Sequence, residues 1–261
     1  MTATGSRFKI WYQGATDRSV HSDYISRLEA HLKKVADPEF TGQFTGVNPP
    51  ASTTHALTEY RIGAAIARNV VRAEREGYDA VAITHFQDAG LHEAKSAVDI
   101  PVLGLGETTL LYSCSLGRKL GLITINPAFI PWHEDQVIRY GLTQRVVGVR
   151  AVDAKVSDFM RAFASKEGYD ELYPKFAREA QALLDAGADV IVPAGGLPML
   201  LFGGEQGASF GGAPIVNGLT VLAKMTEMTV KLRRLSGLTV SRRSNYAKPP
   251  KQALDEFMGA S

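Results

Sequence analysis

Thr84, His85, Gln87 and Asp88 crowd the end of one short stretch, DAVAITHFQDAG, residues 79–90. The residues before them, Ala80 to Ile83, form an apolar run that reads as the interior of a buried strand. In an open α/β sheet, ligands sit at the carboxyl ends of the strands. A free imidazole titrates at about pH 6.5, so a histidine placed there can take or give a proton near neutrality. His85 is therefore a candidate general base or acid, a role that contributes roughly 10²–10⁴ in rate. Asp88 and Gln87 lie close enough in sequence to orient it or to bind substrate. A histidine that only hydrogen-bonds nearby backbone is the alternative.

Other polar or small residues fall at comparable strand ends. PAGGLP, residues 193–198, is a strand-to-loop transition in which the amides around Gly195 and Gly196 can cradle a carboxylate or a developing oxyanion. A tight turn needing positive φ would use the same glycines. Gln13 and Thr16 follow the first apolar run, Thr124 and Asn126 a later one, and Asn217 stands in IVNGL. Glu107 follows GLG and opens a helical pattern, where an acidic residue also favours the helix start. His92 and His133 read as helix-surface or interface residues. No histidine and carboxylate spacing matches a metal motif, and neither GLGET nor GGEQGASFGG has the order of a phosphate-binding loop. The second of these, residues 203–212, reads as a mobile loop and a candidate lid.

The elements that must position these groups alternate between apolar β-branched runs and helical-period segments, the signature of βα units around parallel sheets. Strands are expected at 8–13, 41–47, 79–84, 101–104, 120–125, 146–152, 189–194 and 214–217. Helices are expected at 19–36, 55–76, 90–97, 107–117, 130–140, 170–186 and 218–235. The chain also resembles itself. EGYDAVAITHF (76–86) matches AGADVIVPAGG (186–196), each a glycine cap, an aspartate two residues on, an apolar strand and a polar or small tip. In the same order, RFKIWYQG (7–14) matches RKLGLITIN (118–126), and the segment from 100 to 122 matches that from 213 to 235. Two similar flavodoxin-like, three-layer lobes with parallel sheets follow, related by a pseudo-twofold and facing each other across a cleft. Residues 7–117 with the helix at about 218–235 form one, and 118–217 the other. Residues 236–261 read as a polar tail, either solvated or packed on a neighbouring subunit. His85 lies six residues after Asp79, and Gly195 six after Asp189, so they occupy equivalent positions.

Composition is that of an ordinary globular chain: 261 residues, 45% hydrophobic, 21% charged, with a formal net charge of +2. That balance gives no sign of a nucleic-acid or membrane surface. No apolar stretch reaches the roughly 18 residues of a membrane helix. The single cysteine excludes an intrachain disulfide and a cysteine-based metal site. A cytoplasmic protein is expected.

Two α/β lobes, THFQDAGL, LGLGETTL and VIVPAGGLPM together resemble the aspartate/glutamate/hydantoin racemase superfamily over roughly residues 7–235. The first stretch is similar to the hydantoin-racemase segment Cys-Phe-Asp-Asp-Pro-Gly, the second to Gly-Ile-Gly-Glu and the third to Leu-Gly-Cys-Ala-Gly-Met. The resemblance implies a cofactor-independent enzyme, a small-molecule substrate and a homo-oligomer. In that family two cysteines, one per lobe, stand on opposite faces of a substrate α-carbon. Arylmalonate decarboxylases keep only the second, and maleate isomerases use the fold for a cis–trans change. The strand tips, here carrying Gln13, Thr16, Thr124 and Asn126, hold a carboxylate or imide. This sequence departs at both thiol positions: the first is His85 and the second falls on Gly195, within one residue. Its first tip reads QGAT in place of Asn-Pro-Asn-Thr. Cys114 sits inside a helical-period run, as a small buried residue would. The expectation is His-assisted proton transfer or bond cleavage on a small carboxylate or imide/lactam-type substrate, as an isomerase, lyase or hydrolase, and not two-cysteine racemisation. The alternative is a non-catalytic metabolite sensor of the same fold.

Overall fold

The structure, a computed structural model, describes residues 8–51 and 53–259. In chain order the elements are β1 (Phe8–Gln13), α1 (Arg18–Val35), β2 (Phe40–Thr45), α2 (Ala56–Arg75), β3 (Ala80–Ile83), α3 (Leu91–Ala97) and β4 (Val102–Gly104). There follow α4 (Leu105–Ser113), β5 (Leu120–Thr124), α5 (Ile130–Arg139), β6 (Val146–Ala151), α6 (Val156–Ala164), α7 (Lys166–Asp185) and β7 (Val190–Pro193). The last are α8 (Gly196–Leu201), β8 (Ser209–Phe210), β9 (Ala213–Pro214), α9 (Gly218–Ser236) and α10 (Lys251–Met258).

Two compact α/β units divide the chain. The first holds 8–22, 32–104 and 222–259, with a parallel sheet in the order β2-β1-β3-β4. All four residues of β3 are buried, as a strand inside a parallel sheet must be. Trp11, Val81 and Ile83 pack with Ile62, Ile66 and Val70 of α2 and Leu91 of α3. The second unit holds 23–31 and 105–221, with a parallel sheet in the order β6-β5-β7. Ile215 adds a single parallel bridge to Ile191, in the place of the strand expected at 214–217. Its core joins Ile123 and Ile191 to Phe159, Leu172, Phe176 and Leu183. Both sheets thus follow a 2-1-3-4 sense, the flavodoxin-like arrangement.

The repeated Gly-x-Asp has a physical purpose. Gly77 (φ 75°) and Gly187 (φ 93°) end helices in a conformation that favours glycine. Two residues on, Asp79 accepts from the Lys9 amide at 2.8 Å, and Asp189 from the amides of Lys119 at 2.7 Å and Arg118 at 2.9 Å. Each aspartate ties the entry of its strand to the strand beside it. The two amides hold the Asp189 carboxyl below its ordinary range. A depressed carboxyl contributes stability above its unfolded value and loses it as pH falls through the folded value. Because Asp189 is exposed, we expect Asp189→Ala to cost only about 1 kcal/mol at neutral pH. The gap between variant and wild type in urea unfolding should narrow below about pH 4.

Four expectations are corrected. The break between units falls at Gly104/Leu105, not 117/118, and residues 23–31 of α1 join the second unit. One cause is Arg145, whose Nη2 donates to the carbonyls of Cys114 and Gly117 and ties the end of α4 to the second unit. Arg7, the first residue of the repeat, lies outside the described residues. The polar tail is exposed along most of its length but is anchored to its own chain: Arg242 donates to the Lys95 carbonyl at 3.1 Å, to that of Val98 and to Asp99, and Tyr246 stacks on His92 at 5.7 Å. Leu254 and Met258 of α10 then pack against the first core. Residues 203–212 are not wholly a loop, because β8 pairs antiparallel with β9 around Gly211 and Gly212, whose φ values of 55° and 86° suit a two-residue hairpin turn. His133 is fully buried, not on a helix surface.

Candidate functional site

At the tip of β3, Thr84 prolongs the pairing by one residue, its amide reaching the Gln13 carbonyl at 2.8 Å and its hydroxyl the same oxygen at 3.2 Å. His85, next in line, is half-buried, and its Nε2 lies 2.7 Å from Glu59 Oε1. With a carboxylate as acceptor, Nε2 carries the proton and Nδ1 the lone pair. Nδ1 has no hydrogen-bond partner among the described residues. Glu59 stands in the first turn of α2, whose start is fixed by the His55 side chain accepting from the Leu57 amide at 3.1 Å. A base oriented by a carboxylate, with its second nitrogen open, is the arrangement general-base catalysis needs.

The carboxylate on His85 is thus that of Glu59, while Asp88 does something else. Asp88 is buried at φ 55°, and a Cβ added to Gly104 would meet its Oδ1 at 2.3 Å. Its amide returns to the His85 carbonyl at 3.0 Å, closing the turn that aims the imidazole. Gln87 is half-buried beside it and makes no side-chain hydrogen bond among the described residues. Gln13 is fully buried and engaged internally, accepting from Trp11 Nε1 at 2.9 Å and donating to the Gly14 carbonyl at 2.8 Å. Thr16 pairs its hydroxyl with His21 Nδ1 at 2.7 Å. His21 leaves helical dihedrals (φ −131°, ψ 49°) inside α1.

In the second unit, Thr124 is fully buried at the end of β5, 3.2 Å from His133 Nε2. His133 Nδ1 lies 2.8 Å from Gln136 Oε1. Asn126 caps a 3₁₀ turn through the Ala128 amide at 2.9 Å. Asn217 caps α9 through the Thr220 amide at 3.2 Å and reaches the Met199 carbonyl with its own amide. Gly195 adopts φ 154°, ψ 157°, a region open to glycine alone, and Gly196 begins α8. Glu107 is half-buried in the first turn of α4. Cys114 follows α4 at the amino-terminal edge of the second sheet, where its carbonyl accepts from Arg145. No group of three or more histidine, cysteine or acidic side chains among the described residues is placed to hold a metal ion.

Sequence reading missed Glu59, His21 and the buried His133–Gln136 pair. An acidic residue in a first helical turn reads as a response to the helix dipole, so Glu59 carries no signal of its own.

Residues 21–226 match the Asp/Glu/hydantoin racemase family. The chain is 27% identical to a hydantoin racemase of Pseudomonas sp. (strain NS671) over 221 residues, 84% of this chain and 83% of that protein. It is 28% identical to a hydantoin racemase of Rhizobium meliloti over 201 residues, 77% and 78% of the two chains. Among solved structures, the allantoin racemase from Klebsiella pneumoniae shares the fold with a TM-score of 0.76 at 20% identity, covering 94% of each chain. With a match that spans most of its length, the chain belongs to the Asp/Glu/hydantoin racemase family.

Proposed function

We propose that this protein is a cofactor-independent isomerase that moves the proton on the ring carbon beside a carbonyl in a five-membered cyclic imide or ureide of the hydantoin class, with His85 as the base. The observation that carries the reading is the His85–Glu59 pair, with Nδ1 open at a strand tip. The relatives named as hydantoin racemases support the substrate class. In the step, the ring C–H bond breaks and an Nδ1–H bond forms. The electron pair moves into the adjacent carbonyl as an enolate, and the imidazolium is held by the Glu59 carboxylate. Return of the Nδ1 proton to the same face regenerates the starting isomer. Inversion follows when a water molecule on the opposite face protonates the planar enolate and the imidazolium gives its proton to solvent, which restores His85. Gln87 and Thr16 are the half-buried polar groups of the same unit proposed to meet the substrate, with Thr84 and Asp88 shaping the turn. Taken by itself, the second unit offers the Gly195–Gly196 amides, Asn126 and Asn217 as proposed polar groups for a ligand, with Thr124, fully buried against His133, supporting the β5 tip from within.

The test is proton NMR of 5-substituted hydantoins and allantoin with the protein in D₂O, alongside a carboxylate series (aspartate, glutamate and maleate). Protein-dependent loss of the ring C–H signal is the expected result. Binding of these compounds with no exchange would overturn the reading in favour of a sensor. Exchange confined to the carboxylates would overturn the substrate class. Glu59→Gln keeps the size of the side chain and removes its charge, so we expect kcat for exchange to fall roughly tenfold to a hundredfold with a smaller change in KM, as for loss of a group that orients and stabilises a histidine.

A further inference from the structure

Helix α9 is apolar on two opposite sides. Within the first unit, which holds its residues 222–236, Leu222, Ala223, Thr226 and Val230 are buried. On the other side stand Met225, Met228, Leu232 and Leu235, spaced by three, four and three residues. At about 100° per residue, these four fall within an arc of roughly 80°. Met225 and Leu232 are half-buried, while Met228 is 47% exposed and Leu235 83%. Single exposed apolar residues are ordinary on a surface. A row at this spacing is instead the seam by which one helix packs on another.

Beside the seam lies a hollow of about 230 Å³, whose lining includes Met228, Leu232 and Leu235 together with Asp37, Lys224 and Lys231. The charges around it are matched. Lys224 pairs with Asp37 at 2.6 Å and Glu227 at 2.9 Å, and Lys231 with Asp37 at 2.9 Å and Glu39 at 2.8 Å. The other flank of the seam carries Thr229 and Ser236, which are uncharged.

The geometry points to α9 as a self-association surface: two copies of this chain pair their α9 seams antiparallel, about a twofold axis level with Val230. That places Met225 opposite Leu235 of the second copy and Met228 opposite its Leu232, each contact made twice, as an isologous interface requires. The surface has both halves of such a contact, because Leu235 projects and the hollow beside Met228 and Leu232 can receive it. The charges favour the same occupant. A rim of one sign would repel its own copy, whereas lysines already paired with carboxylates do not. An anionic membrane is a poorer fit, since Asp37 and Glu39 stand on that rim beside the lysines. A stable dimer buries roughly 800 Å² per partner, which takes more than one helix face. The patch continues past Glu39 into β2, the outer strand of its sheet, whose Thr41, Gly42 and Gln43 are exposed and uncharged.

The experiment measures the mass of the full chain by sedimentation equilibrium over a range of micromolar concentrations. Wild type is expected at an even multiple of the chain mass. Leu235→Glu should weaken association roughly thirtyfold or more, because a charge would have to be buried in the seam. Its far-ultraviolet circular dichroism should match wild type, since the position is exposed. Met228→Glu and Leu232→Lys should each weaken association as well. The double variant should regain it, because antiparallel pairing sets each glutamate against a lysine of the other copy. A parallel pairing would set like charges together and restore nothing. The inference is overturned if Leu235→Glu leaves the mass unchanged, or if the double variant associates no better than the single ones. A monomeric wild type overturns it too, and flotation with anionic vesicles would then give the face to a membrane.

Discussion

His85→Asn is expected to slow hydantoin C–H exchange by about 10²–10⁴, the usual contribution of a general base. Asparagine retains a polar group near the position of Nδ1 but cannot accept a proton at neutral pH. It also loses the atom that reaches Glu59. His85→Gln is the companion: its amide extends to where Nε2 stands and can preserve the 2.7 Å contact with Glu59 without restoring a base. Equal losses in both would assign the effect to proton transfer and not to a disordered tip. Because His85 is half-buried at a turn, neither change should move the thermal midpoint by more than a few degrees. Cys114→Ser gives the contrasting result, with exchange unchanged, since this residue follows α4 at the amino-terminal edge of its sheet. Exchange that survives His85→Asn, or disappears in Cys114→Ser, would mean that another group carries the proton.

The β3 tip was legible because it is local. A fully buried Ala-Val-Ala-Ile run that stops in polar residues marks both the strand and its end, and the Gly-x-Asp repeat exposed the second copy of the sheet. Glu59 was not legible, because its meeting with His85 depends on where α2 docks, 26 residues away in sequence. His133 was misread for a related reason. On α5 it shares the buried face with Gln136 and Val137, so two of three core-facing residues are polar and the pattern looks like surface. The tail misled through composition: its arginines and lysines suggest solvation, yet Arg242 spends its donors on carbonyls around the end of α3. For Glu59 and Arg242 the deciding interaction joins distant segments, whereas His133 is satisfied locally, by Gln136 on its own helix and Thr124 at the end of β5.

Gly90→Ala is the substitution expected to cost most in stability, and it should disturb the site from a distance. Gly90 sits at φ 73°, and a Cβ there would lie 2.3 Å from the Gly63 carbonyl oxygen and 2.9 Å from its carbon. Both obstacles are backbone, so no rotamer can relieve them. The left-handed conformation costs an alanine roughly 1–2 kcal/mol, and forcing packed backbone apart adds about 1–3 kcal/mol, so a loss of about 2–5 kcal/mol is expected. Gly63 meets the same contact from α2, where a Cβ would stand 3.0 Å from the Gly90 amide nitrogen. This pair of glycines sets how closely α2 approaches the turn after β3. Glu59 lies one helical turn before Gly63 on α2, so the separation that Gly90→Ala forces is transmitted to the Glu59–His85 contact. Urea unfolding should show the stability loss, and the surviving folded fraction should exchange hydantoin more slowly, approaching the rate of Glu59→Gln. Combining Gly90→Ala with Glu59→Gln should then lower exchange by less than the product of the two single effects. Full additivity would show that the glycine contact supports only the fold and not the placement of the carboxylate.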